Sequence, residues 1–124
     1  MDDPEVLGPW FAGPSWDGWR AVMKAAYALQ MTEAERALFR TLAEREPPQR
    51  RVRELYVIVG RRGGKDSIAS AMAVHAAAYG DFSQCLRPGE RALVMCLATD
   101  REQAKIVLNY TRSYFDRVPL LKPW

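Results

Sequence analysis

The feature that most constrains the fold is a short apolar segment that runs directly into a glycine-rich basic loop. The segment is LYVIV at residues 55–59, and it is followed by GRRGGKD and then by an alanine-rich stretch that ends at Gly80. A short apolar run bounded by glycine is typical of a buried parallel strand. Alanine has a high helix propensity, and glycine commonly follows the last turn of a helix. The pattern therefore predicts a strand, a tight loop and a helix over residues 66–79.

A second apolar segment, residues 92–98, predicts another strand of the same type. It is followed by Thr99-Asp100-Arg101-Glu102, a capping-box pattern that predicts the start of a helix reaching about Asp116. The alternation of strands and helices indicates an α/β fold. We expect a core of two parallel-type strands with flanking helices, preceded by a helical N-terminal segment.

The N-terminal third of the chain has a different pattern. Residues 1–15 are broken by prolines and predict an irregular arm, after which apolar residues from Trp16 recur with helical spacing and Ser15 is available as the cap. Thr32 and Glu35 form a second capping box, which predicts a helix to about Arg45 that ends before two prolines. We therefore divide the chain into an arm with two helices (1–50) and a second part that begins with the strand, loop and helix pattern (51–124).

Composition excludes several classes of protein. Lys and Arg total 18 against 15 Asp and Glu, and the chain holds two cysteines and one histidine. No CxxC pair is present, so neither a structural zinc site nor a disulfide framework is indicated. No apolar run approaches the roughly 20 residues that span a bilayer, which favours a cytoplasmic protein. Six arginines between Arg45 and Arg62 form a local basic stretch that suits either phosphate binding or a solvated surface.

The glycine-rich loop has the residue types that bind phosphate. Glycines allow positive φ, so backbone N–H groups can turn inward, and a following helix N-terminus attracts anions. The glycines are Gly60, Gly63 and Gly64, and Lys65 is placed to reach the β- and γ-phosphates of a nucleotide.

The spacing of the loop departs from the common GxxxxGK[ST] pattern. That pattern would require its first glycine at position 59, which is Val59 here. Asp66 replaces the usual magnesium-binding hydroxyl, so either Asp66 or Ser67 is the candidate Mg²⁺ ligand.

The compact loop GRRGGK resembles the deviant Walker A loop of bacteriophage terminase large subunits, the ATPases that drive DNA into procapsids. The stretches on both sides, from about Leu7 onward, are also similar to the corresponding segments of that family. The resemblance implies that residues 51–124 are the first part of an incomplete P-loop NTPase core, the ATP- and Mg²⁺-binding part of a packaging motor. In that motor Arg61 or Arg62 contacts the γ-phosphate. It also implies double-stranded DNA, a small terminase subunit and a portal protein as partners, a homo-oligomeric ring in the complete protein, and the host cytoplasm as location.

Hydrolysis needs an acidic residue that holds magnesium after a further strand, together with a group that orients water. Asp100 followed by Glu102 is the candidate pair, but their position favours the start of a helix. The resemblance places the Walker B strand beyond residue 124, so we expect this chain to bind ATP without hydrolysing it. An adenine-contacting element is also implied, with Trp16, Trp19 and Gln49 as candidates.

Two other functions stay open at this stage. One is a different P-loop NTPase, such as a helicase-like enzyme. The other is a small basic helical module that binds DNA phosphates without a nucleotide.

Overall fold

The computed structural model describes residues 1–122 and is helical. Its four α-helices are α1 (Asp17–Ala26), α2 (Glu33–Ala43), α3 (Lys65–Tyr79) and α4 (Arg101–Arg117). Short 3₁₀ turns occupy Gly8–Phe11, Pro14–Trp16 and Pro119–Leu121. Among the described residues, no helix is both long and apolar enough to cross a membrane. The last two residues of the predicted second domain lie outside the described range.

The predicted α/β fold is wrong, because residues 1–122 contain no β-strand. The two segments predicted as strands, 55–59 and 92–98, have neither helical structure nor ladder pairing. Most of their side chains are exposed: Ile58 is fully exposed at 104% and Leu97 is 85% exposed. A strand requires hydrogen bonds to a neighbouring strand. The apolar pattern specified no neighbour for either segment, and the described residues provide none.

The chain divides into two compact units, which are described separately. The first unit contains Met1–Asp2 and Trp10–Gly60, and the second contains Asp3–Pro9 together with the chain from Arg61 onward. In the first unit α1 packs against α2. Its core consists of Ala21 and Ala25 from α1 and Phe39 from α2. The small alanines let the two helices approach closely, with the larger phenylalanine ring filling the space between them.

The start of α2 follows the predicted capping box. The backbone N–H of Glu35 donates to the Thr32 hydroxyl at 3.2 Å, and the Thr32 N–H donates to the Glu35 carboxylate at 2.8 Å. Lys24 of α1 donates to the same carboxylate at 2.6 Å and lies 3.3 Å from Asp2. The hydrogen bond from Lys24 holds the pKa of Glu35 below its ordinary value, and the bond to Glu35 raises the pKa of Lys24. One carboxylate thus caps α2 and ties it to α1.

The start of α1 differs from the prediction. The helix begins at Asp17, its cap is Trp16, and no side chain caps its first turn, so Ser15 does not have the predicted role. Arg20 instead organises this region: its guanidinium donates to the carbonyls of Phe11 at 2.5 Å and Gly13 at 2.9 Å. The Gly13 carbonyl also accepts the Trp16 N–H at 3.3 Å, so the Arg20 side chain joins the start of α1 to the 3₁₀ turns that precede it.

The second unit is built on the packing of α3 against α4. The buried face of α3 includes Ile68, Ala71 and Val74, and α4 buries Tyr114. Asp100 is the N-cap of α4, and its carboxylate accepts a hydrogen bond from the backbone N–H of Gln103 at 2.9 Å. The helix was predicted here with a cap involving the preceding threonine, so the cap lies one residue later than predicted.

Candidate nucleotide-binding loop

The loop before α3 combines left-handed backbone with a helix N-terminus. Arg62 has φ 62° and Gly64 has φ 78°, and both values lie in the region that favours glycine. Gly64 is the N-cap of α3, and it makes no side-chain capping hydrogen bond. The N–H of Ile68 bonds to the Gly64 carbonyl at 3.0 Å, which is the first helical hydrogen bond. A left-handed residue followed by helical residues turns successive N–H groups to one side, a geometry that binds anions.

The three basic side chains of the loop are exposed. Arg61, Arg62 and Lys65 all reach solvent, and the side chain of Lys65 is 55% exposed. The Nζ atom of Lys65 lies 3.7 Å from an oxygen of Asp66. At this distance and exposure the pair is weakly coupled, and the ammonium group stays available to an anion.

The glycines of the loop fall in different environments. Gly60 belongs to the first unit, and a side chain at this position would meet nothing within 4 Å. Gly63 and Gly64 belong to the second unit, where Gly64 has the left-handed conformation at the helix cap. Of these three glycines only Gly64 has positive φ. The other left-handed residue of the loop is Arg62.

The candidate metal ligands Asp66 and Ser67 lie in the first turn of α3 and are partly buried. Across residues 1–122, no cluster of three or more His, Cys, Asp or Glu side chains forms a group that could hold a metal. Mg²⁺ commonly takes one or two protein ligands and completes its shell with water and substrate phosphates. One carboxylate and one hydroxyl at the start of a helix are compatible with that mode.

Buried hydrogen bonds connect α3, the helix that follows the loop, to α4. The sequence pattern did not predict them. The Ser70 hydroxyl donates to the Ser67 carbonyl at 2.8 Å, and Ser70 is completely buried. A side-chain hydrogen bond joins Ser70 to Tyr114 of α4, which is 6% exposed. Burial raises the pKa of the Tyr114 hydroxyl. The one sequence signal was the register of α4, in which Tyr114 follows Val107 and Thr111 at helical spacing.

The acidic pair after the second apolar segment belongs to the start of α4. Asp100 caps the helix, and Glu102 accepts a hydrogen bond from Lys105 at 2.6 Å. An aspartate at an N-cap satisfies a free N–H group and interacts favourably with the helix dipole. The helix-start interpretation of this pair is confirmed.

The three candidate adenine-contacting residues lie in the first unit. The Trp16 ring packs edge-on against Phe11, with ring centroids 4.8 Å apart. Trp19 is partly buried in α1, and Gln49 is exposed after the helical region ends. Nearby, the guanidinium of Arg51 lies 4.7 Å from the centre of the Tyr27 ring. The contact of Trp16 with Phe11 is the aromatic packing expected of a core residue.

Comparison with known proteins identifies a family that this chain matches. The family described as terminase large subunit, ATPase domain, matches residues 40–122, a range that contains the glycine-rich loop, α3 and α4. No curated protein and no solved structure gave a significant match. The family match covers well over half of the chain and agrees with the resemblance carried by the loop GRRGGK. The chain belongs to the terminase large subunit ATPase domain family.

Proposed function

We propose that the loop before α3 is the phosphate-binding loop, or Walker A element, of a DNA-packaging ATPase and that it binds ATP together with Mg²⁺. The observation that carries the proposal is the cap of α3. Gly64 takes the left-handed conformation, Lys65 is the first helical residue, and the helix start has no side-chain cap. This arrangement leaves first-turn N–H groups for an anion. The loop lies inside the range matched by an ATPase family.

The backbone and the lysine divide the phosphate contacts. Gly60, Gly63 and Gly64 let the backbone approach the phosphate oxygens closely, since they have no side chains. The exposed ammonium group of Lys65 neutralises the β- and γ-phosphates as a point charge.

The two arginines of the loop have the side-chain chemistry to bind the γ-phosphate. Arg61 and Arg62 precede the cap of α3, and both are exposed. A guanidinium group offers two parallel donors to phosphate oxygens and stabilises the charge that spreads over them during phosphoryl transfer. We propose that one of the two arginines contacts the γ-phosphate in this way.

We propose that Mg²⁺ binds at the first turn of α3. Asp66 supplies a carboxylate and Ser67 a hydroxyl, and one of them holds Mg²⁺ with the phosphates and water. Held there, Mg²⁺ would supply positive charge that offsets the negative charge of the phosphates.

In the complete packaging machine we propose that this region couples ATP hydrolysis to the movement of double-stranded DNA into procapsids in the host cytoplasm. The small terminase subunit, the portal protein and further copies in a ring are the proposed partners. We assign no hydrolytic role to Asp100 or Glu102, because capping and pairing with Lys105 already occupy their carboxylates. The activity proposed for the residues described is ATP binding.

The test compares two lysine variants in a direct ATP-binding titration. Lys65→Ala removes the ammonium group of the loop and is expected to weaken ATP binding by about 10- to 100-fold, the range of one or two charge-assisted hydrogen bonds. Lys105→Ala is the control, because this lysine is similarly exposed at 48% but pairs with Glu102 on α4. The control is expected to bind ATP as tightly as the unmodified chain.

Unchanged ATP binding in Lys65→Ala would refute the proposal. A DNA titration in the same buffers addresses the competing function of a basic helical module. Salt-sensitive DNA binding that survives Lys65→Ala, in a chain with no measurable ATP affinity, would favour that module, since phosphate contacts by arginines depend strongly on salt.

A further inference from the structure

Two hydrogen bonds connect the first turn of α3 to the neighbouring helix α4, and neither involves a side chain of the glycine-rich loop. Ser67 is the third residue of the helix, and its carbonyl accepts the hydrogen bond from the Ser70 hydroxyl at 2.8 Å. Ser70 in turn is hydrogen-bonded to Tyr114 on α4. The three residues therefore connect the turn that presents free N–H groups to the neighbouring helix.

The side chains that form these hydrogen bonds are buried, so losing one of the bonds would be costly. Ser70 has no exposed surface, and Tyr114 is 6% exposed. Within the described part of the chain, every buried side-chain nitrogen or oxygen has a hydrogen-bond partner. A buried hydroxyl that lost its partner would carry a desolvation penalty, so the backbone of the first turn is favoured in the position that keeps both bonds.

We propose that Ser70 and Tyr114 are positioning residues for the phosphate-binding loop: through the Ser67 carbonyl they fix the first turn of α3 in the orientation that receives the nucleotide phosphates. The inference rests on the proposed ATP-binding function of the loop. Neither side chain touches the nucleotide. Their contribution is preorganisation, because a turn that is already held loses less freedom when the ligand binds.

The test is an ATP-binding titration of Tyr114→Phe, which removes one oxygen atom and keeps the buried ring. We expect a loss of affinity of about three- to tenfold, the range for one hydrogen bond. The matched control is Tyr110→Phe, which makes the same change one turn earlier on α4, at a side chain that is 45% exposed. Inorganic tripolyphosphate is titrated as a second ligand, and its affinity should fall by the same factor because the loss concerns the phosphates alone.

Two further measurements separate positioning from a general loss of structure. Ser70→Ala with Tyr114→Phe should bind ATP no more weakly than the weaker of the two single variants, because the residues act as one unit. In amide NMR spectra, Tyr114→Phe should shift the signals of residues 65–68 more than Tyr110→Phe does. Signals near the start of α4, residues 101–105, serve as the internal reference.

The outcomes distinguish the inference from the function on which it rests. If the unmodified chain binds ATP and Tyr114→Phe binds it equally well, the positioning role is refuted and the loop assignment stands. If the unmodified chain does not bind ATP, the proposed function fails, and the NMR comparison still decides whether Tyr114 orders the first turn. Additive losses in the double variant would also overturn the inference.

Discussion

Glu35 offers the sharpest test of how the first unit is held together. Its carboxylate accepts the Thr32 N–H at 2.8 Å and the Lys24 ammonium at 2.6 Å, and the Lys24 and Glu35 side chains are only 23% and 21% exposed. Glu35→Gln keeps an acceptor for the cap but removes the charge, which should cost about 0.5–1 kcal/mol of unfolding free energy. Glu35→Ala also removes the capping contact, worth about 1 kcal/mol more.

The assay is urea unfolding followed by tryptophan fluorescence, because Trp10, Trp16 and Trp19 all lie in the first unit. Glu33→Gln is the control: Glu33 is in the same first turn of α2 and pairs with Arg40, but its side chain is 78% exposed, so its loss should cost less than about 0.5 kcal/mol. The reasoning is refuted if Glu33→Gln destabilises as much as Glu35→Gln, or if Glu35→Ala is no worse than Glu35→Gln.

Three other outcomes are expected. Because the folded pKa of Glu35 lies below its ordinary 4.5, its contribution to stability is present above that pH and should be lost on acidification; the Glu35→Gln variant should lose less stability over the same interval. Gly80→Ala should lower the midpoint of thermal unfolding, since a Cβ there would lie 2.3 Å from the Phe82 ring; an unchanged midpoint would contradict this close approach. Gly18→Ala should stabilise α1 by about 0.5–1 kcal/mol in urea unfolding, as the nearest atom is 3.4 Å away on the half-exposed Leu42 side chain; destabilisation would show that this side chain cannot yield.

The helices were predictable because their signals are local. The capping box of Thr32 and Glu35 is confirmed, and α2 begins at Glu33 as that pattern requires. The alanine-rich helix α3 begins at Lys65, one residue before the predicted start, and ends at Tyr79. Such signals involve residues within one turn of each other, so the sequence contains both partners of each contact.

The strands could not be predicted in the same way. Residues 55–59 and 92–98 are apolar enough for a buried sheet, yet they have no regular secondary structure in the described chain. An apolar run indicates that a segment can be covered, but a ladder depends on which other segment lies beside it. That information is not contained in the run itself.

The α4 helix shows an intermediate case. The sequence predicted this helix, but in the structure the apolar Leu108 is 44% exposed whereas the polar-tipped Tyr114 is buried. Helical spacing predicted that a helix forms here, but it did not identify which side of the helix is buried. A buried tyrosine hydroxyl needs a hydrogen-bond partner, and Ser70 on α3 provides it for Tyr114.

This difference bears directly on how the candidate site works. The residues proposed to touch phosphate form one continuous segment, so a motif search identifies them together. The residues proposed to hold that segment in place, Ser70 and Tyr114, lie on two helices and meet only after the helices pack. A variant of Lys65 removes a contact with the ligand, whereas a variant of Tyr114 changes how well the turn is ordered before the ligand arrives. Comparing their losses of ATP affinity therefore separates the energy of the phosphate contact from the cost of organising the loop.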